Sequence, residues 1–103
     1  MALDPAIPTV ASAAALVIPE SAFRRFGNDN VMIGVTGTAD ITSIGIMKAG
    51  YRLTLIFTGT AAVTGVTDGS NLKIAGNFAY SPDDTLELVS DGVNWYELGR
   101  SAN

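Results

Sequence analysis

The stretch TLELVSDGVNWYELGR, Thr85 to Arg100, decides the fold class. Two short runs of alternating apolar and polar residues flank the dipeptide Asp91-Gly92. Asp-Gly suits a two-residue type I′ turn, because both central positions take positive φ. Such a turn sets the register: Ser90 faces Val93, Leu88 faces Trp95, Glu87 faces Tyr96 and Leu86 faces Glu97. The only tryptophan then lies with leucines on one face, and Glu87 and Tyr96 share the other. A Trp-centred hairpin offers a large apolar area around which a small sheet protein closes.

Upstream, Tyr51 to Thr58 (YRLTLIFT) reads as a central strand, rich in β-branched and aromatic residues. Leu53, Leu55 and Phe57 share one face; Arg52, Thr54, Ile56 and Thr58 share the other. Val31, Ile33 and Val35 alternate in the same way with Met32, Gly34 and Thr36. Further short strands are expected over Ser21–Phe26, Ile41–Ile46, Thr60–Val66, Leu72–Ala75 and Asn77–Tyr80. Turn clusters separate them: Gly27–Asn30, Gly37–Asp40, Lys48–Gly50, Thr67–Asn71 and Ser81–Asp84. Thr9 to Pro19 (TVASAAALVIP) is alanine-rich, but its bracketing prolines and β-branched residues favour an extended strand over a helix.

Roughly eight or nine short strands, with a turn about every ten residues, are the pattern of an all-β fold. The expectation is a small antiparallel β-sandwich, jelly-roll-like, or a barrel. No unit repeats at a fixed period, which argues against a solenoid. An extended N-terminal arm over 1–8, carrying Pro5 and Pro8, precedes a single β domain over 9–103.

The 103 residues carry a net charge of −4 with pI near 4.4, against the basic footprint that nucleic acid requires. Arg24-Arg25 is the only basic pair, and it sits between Phe23 and Phe26. It reads as a strand-edge or interface pair. The chain is 48% hydrophobic and only 16% charged, which is sparse for a free monomer and favours burial against a partner. Scarce lysine leaves flat sheet edges undefended, and this too points to assembly. No segment approaches the roughly 20 apolar residues of a membrane span. Asp4 and Pro5, not basic residues, precede the apolar run Ala11–Ile18, so neither a membrane anchor nor an export signal is expected.

Histidine and cysteine are both absent, which removes the commonest general base, the commonest metal ligand and the thiolate nucleophile. Asp83-Asp84 is the one adjacent carboxylate pair, but neighbours on a strand point to opposite faces and do not flank one bond. After Ser81-Pro82 the pair reads as turn chemistry, as do Asp68 and Asp91 before their glycines. Loop oxygens of Asp68, Asn71, Asp83 and Asp84 are conceivable calcium ligands, yet their spacing fits no EF-hand loop. The expectation is no catalytic, metal or cofactor site. Trp95, Tyr96, Tyr80 and Tyr51 are candidates for a sugar-stacking platform; Trp95 reads as core and Tyr96 as the exposed aromatic.

Several stretches resemble a known family. From Val35 onward, VTGTADITSI, AGYRLTLIFTG, VTDGSNLKIAGNF and DDTLELVSDGVNWYELGRSAN are similar to a recurring module of tailed-bacteriophage virion proteins. That module commonly ends tail fibres and tailspikes and also occurs in other virion surface proteins. Pro8–Pro19 looks like its usual opening, so the resemblance covers all but Met1–Ile7. Its most specific pieces are Asp68–Lys73, Ala75–Phe78 and Asn94–Glu97.

The resemblance implies a β-rich, trimeric, non-enzymatic structural module on the virion exterior, made in the host bacterial cytoplasm. No long fibre or catalytic solenoid is expected before it. That favours a decoration, cement or head-fibre protein, docked by its arm onto a major capsid protein or tail component. Leu3, Pro5, Ile7, Pro8 and Val10 are the candidate partner-binding residues of that arm. Tyr96, Glu87 and Arg52 are candidate ligand or subunit contacts, and Glu97 and Arg100 are further candidates for subunit contacts. The alternative is a receptor module at a fibre tip that binds a host glycan.

Overall fold

The computed structural model describes residues 7–18 and 30–103. Among them the chain is all-β, with no helix: β1 (Thr9–Ala11), β2 (Ala15–Leu16), β3 (Asn30–Thr36), β4 (Ser43–Ile44), β5 (Arg52–Phe57), β6 (Leu72–Lys73), β7 (Thr85–Ser90) and β8 (Trp95–Ser101). Leu3, Pro5, the Arg24-Arg25 pair and the strand expected over Ser21–Phe26 lie outside the described residues. No helix among those described is long and apolar enough to cross a membrane.

Six strands form one mixed sheet in the order β1-β3-β5-β7-β8-β6, and β2 pairs with β4 in a second. Alternation in the sequence sets the faces. Val31, Ile33 and Val35 of β3, Leu53, Leu55 and Phe57 of β5, and Leu86 and Leu88 of β7 all turn inward and are buried. Leu16 and Ile44 from the small sheet, Leu72 of β6, and Ile41, Val66, Ile74, Phe78 and Tyr80 from the connections complete one continuous core. Each such side chain contributes about 1.5–3 kcal/mol by leaving water. Trp95 is fully buried, and its Nε1–H donates to the Gly45 carbonyl at 3.1 Å. The indole thereby fastens the hairpin to the chain just after β4.

The hairpin differs from its expected register. Ser90 pairs with Trp95, Val89 with Tyr96, Leu88 with Glu97 and Glu87 with Gly99, with Leu98 skipped at a bulge. Only Gly92 of the turn takes positive φ, +99°. The loop therefore spans Asp91–Asn94, and the Asp91 Oδ1 accepts the amides of Val93 at 2.9 Å and Asn94 at 2.7 Å. A type I′ turn would push Asp91 itself into the left-handed region, whereas the four-residue loop lets its carboxylate satisfy two amides. Shifting the pairing by one residue on each strand leaves the side-chain parity unchanged. Trp95 accordingly stays on the leucine face.

The antiparallel sandwich does not describe the pairing, because four of the six strand pairs are parallel: β1 with β3, β2 with β4, β3 with β5 and β6 with β8. The β5–β7 and β7–β8 pairs alone are antiparallel. Parallel neighbours need long crossovers, and the connection over 37–51 supplies one between β3 and β5. The segments stack like successive turns of a coil: Thr9 lies beside Gly34, Ala15 beside Ser43, Asn30 beside Arg52, and Ile41 beside Val66. This solenoid-like stacking corrects the expectation against a solenoid and takes the place of the sandwich or barrel. The offset between paired residues varies from rung to rung, so no fixed period marks it in the sequence. Thr60–Val66 and Asn77–Tyr80 supply only isolated bridges, at Val66 and Phe78.

Close stacking needs glycine at Gly65. It has φ +73°, and a Cβ there would stand 2.0 Å from the Phe78 carbonyl oxygen. Gly65→Ala should therefore destabilise the fold more than Gly69→Ala, where a Cβ meets nothing within 4 Å. In urea titrations Leu55→Ala should cost about 2–5 kcal/mol. Val63→Ala, at a residue 77% exposed, should change stability by less than about 0.5 kcal/mol. Equal effects from these last two would refute the assignment of the core face.

Candidate functional site

The carboxylates are placed first by what their own loops require. Asp40 Oδ1 accepts the backbone amides of Val63 and Thr64 at 3.1 Å and of Gly65 at 2.8 Å. Asp68 Oδ1 accepts the Ile74 amide, and Asn71 exchanges two hydrogen bonds with the backbone of Ile44. Buried Asp84 accepts the amides of Ser81 and Asn103, each at 2.8 Å. Asp83 takes φ +73° in the same turn, and its carbonyl accepts from the Asn103 side chain. The conceivable calcium ligands are thus spread over separate loops. No group of three acidic residues able to hold a metal stands among the described residues.

Glu97 and Arg100 pair with each other at 2.7 Å within the chain. Glu97 Oε1 also accepts the Ala75 amide. Arg100 donates to the Gly76 carbonyl and lies 4.9 Å over the Phe78 ring. Asp40 and Asp91 are held below the usual carboxylate range, mainly by backbone amides: those of Gly65 and Val63 for Asp40, and of Asn94 and Val93 for Asp91. Glu97 is lowered chiefly by its hydrogen bond from Arg100. The role of Asp40 was not read from the sequence. A lone aspartate in a turn carries no signal that three distant amides converge on it.

The four aromatic residues do not form one platform. Tyr80 is fully buried, stacked on Phe57 with ring centroids 4.2 Å apart, and its hydroxyl donates to the Ala39 carbonyl. Tyr51 is half-buried, with Lys48 Nζ 5.3 Å from its ring centroid. Tyr96 alone stands open, 42% exposed.

The structure does bring Tyr96, Glu87 and Arg52 to one surface, the outer face of the large sheet. One cross-strand row reads Asn30, Arg52, Val89, Tyr96, Lys73. The next reads Met32, Thr54, Glu87, Gly99. Glu87 therefore lies diagonal to Arg52, with Val89 rather than Glu87 opposite Tyr96. Met32, 39% exposed, adds apolar area. A recess of roughly 200 Å³ is lined by Asn30, Val31, Met32, Arg52 and Thr54. The face offers a guanidinium, a carboxylate and an apolar surround, the materials of a contact surface.

Of the arm residues, Ile7, Pro8 and Val10 lie against the domain itself. The Pro8 carbonyl accepts the Gly34 amide, Ile7 Cδ1 lies on the side-chain side of Gly34, and Val10 packs on the core. No protein-family model, curated protein or solved structure matches this chain.

The pH dependence follows from the loop carboxylates. Asp40, Asp91 and Glu97 bind protons less readily folded than unfolded, so their contribution to stability is complete above the ordinary carboxylate range. It is lost as pH falls through that range and then through their lower folded values. The thermal midpoint should drop steeply below about pH 4.5. Asp40→Asn should lower it at neutral pH and flatten the acid limb. An unchanged midpoint down to about pH 2 would contradict this placement of the charges.

Proposed function

We propose that this protein is a non-enzymatic structural component of a tailed-bacteriophage virion. In this reading it is a homotrimeric decoration, cement or head-fibre protein on the exterior, anchored by its N-terminal arm to a major capsid protein or tail component. The stacked, solenoid-like β domain is its rigid body. The observation that carries the reading is how the polar groups are used. The inward-facing and loop carboxylates are spent on the protein's own backbone, while one sheet face keeps apolar area and uncommitted charge. That division suits a protein whose task is contact. The resemblance of residues 8–103 to virion modules supplies the setting, and host-cell cytoplasm is then the place of synthesis. No metal, cofactor, nucleic acid or membrane enters the proposal.

A second reading, a glycan-binding receptor module at a fibre tip, is favoured by one feature: Tyr96 stands open on the same face. Glycan-array binding that disappears in Tyr96→Ala, with the fold intact, would select it.

Arm docking is tested by deletion. Because Pro8 and Ile7 already serve the domain, the informative truncation removes residues 2–6 and stops there. The truncated protein should keep its thermal midpoint and fail to appear on purified particles. Incorporation at the wild-type level would rule out the arm as anchor.

A further inference from the structure

We infer that the outer face of the six-stranded sheet packs against a second copy of this chain, with Arg52 of one copy set against Glu87 of the other. The inference deepens the self-association in the function proposed above, but it does not depend on the virion setting.

Arg52 and Glu87 are both exposed, and neither makes an ion pair among the described residues. They differ in this from Glu97 and Arg100, which bond each other and the loop over 75–77. The cross-strand registers place Arg52 opposite Val89 and Glu87 opposite Thr54. The two charges are thus diagonal neighbours on one face, close enough to belong to one patch but unpaired within it. Lys73 stands at the far edge, beyond Tyr96.

A patch that holds one cation and one anion side by side is complementary to itself. A symmetry axis through the face, two-fold or three-fold, brings the guanidinium of one copy to the carboxylate of the next. A foreign partner must happen to carry the matching pair, whereas another copy always does. The local charge balance also matters. The whole chain carries −4, so two copies repel over most of their surface. This face lacks the acidic excess and is where like chains approach at least cost. Around the charges, Met32 and Tyr96 are exposed, residue types enriched in interfaces, and Val89 beside them is half-buried.

Charge reversal on the full chain tests this, read by sedimentation velocity and light scattering at low and high salt. The wild type should associate, less strongly as salt screens the pair. Arg52→Glu and Glu87→Arg should each weaken association by roughly tenfold or more, since each sets like charges together. The double variant R52E/E87R should regain most of it. Far-UV circular dichroism checks folding, and the milder Arg52→Gln and Glu87→Gln replace any reversal that fails to fold. A wild type that stays monomeric overturns the inference, as do single reversals that associate like the wild type or a double variant no better than either single one. A monomer that still loads onto particles, and loses loading on Arg52→Glu, assigns the face to another protein and also overturns it, while leaving the virion reading standing. An Arg52-dependent oligomer absent from particles does the reverse.

Discussion

Backbone amides in long connections need acceptors, and where carbonyls of neighbouring segments do not supply them this chain uses carboxylates. Its strands are short, so many backbone groups lie outside the ladders, where an unpaired buried donor costs as much as a lost hydrogen bond. Asp40 gathers three amides from the 63–65 segment, Asp84 closes the turn before β7 and reaches the C-terminal Asn103, and Asp91 holds the hairpin loop. Asn71 does the same work between layers, bonding both backbone groups of Ile44 while its carbonyl accepts the Trp95 amide. The acidic composition is therefore largely architectural. These carboxylates sit apart from one another, each turned to backbone amides of its own or a neighbouring segment.

The same constraint explains which features were legible in the sequence. Inward and outward positions on β3, β5 and β7 follow directly from a period of two, and residues such as Ile33, Leu55 and Leu88 are fully buried as that period requires. Trp95 could be assigned to the core for the same reason. The hairpin register could not, because it turns on whether Asp91 acts as a turn residue at positive φ or as a cap for the amides of Val93 and Asn94. Both are ordinary uses of an Asp-Gly pair. Parity survives the difference, so the faces are right although every partner is displaced.

The parallel stacking was hidden for a physical reason. Strand direction depends on where a long connection delivers the chain, and nothing in the local pattern of NVMIGVT or RLTLIF distinguishes a parallel neighbour from an antiparallel one. The rungs also differ in length, and the connections absorb the difference. Close contact between turns of the coil falls to small residues instead. Gly65 against the Phe78 backbone and Gly59 against the Gly37 backbone leave no room for a Cβ. Scattered glycines in a sequence of short strands thus have two meanings, a turn or a close approach. Only the second marks a stacked coil.

Among the candidate contact residues, the outer-face set was partly legible and the arm set was not. Arg52, Glu87 and Tyr96 come from three different strands, yet each could be placed on the solvent side by alternation alone, and alternation puts them on one surface once the strands adjoin. Alternation also sets Glu97, next to Tyr96 and opposite Leu88, on the inner side; what it could not supply is that Arg100 leaves the outer surface at the bulge beside Leu98. The bulge makes Gly99 rather than Leu98 the partner of Glu87 and turns Arg100 toward Phe78. One inserted residue therefore divides the ionic groups of β7 and β8 into two sets. Arg100, beyond the bulge, joins Glu97 in fastening the loop over 75–77, and Glu87 is left beside Arg52. An irregularity that looks like a local defect in the ladder decides which charges remain available for contact.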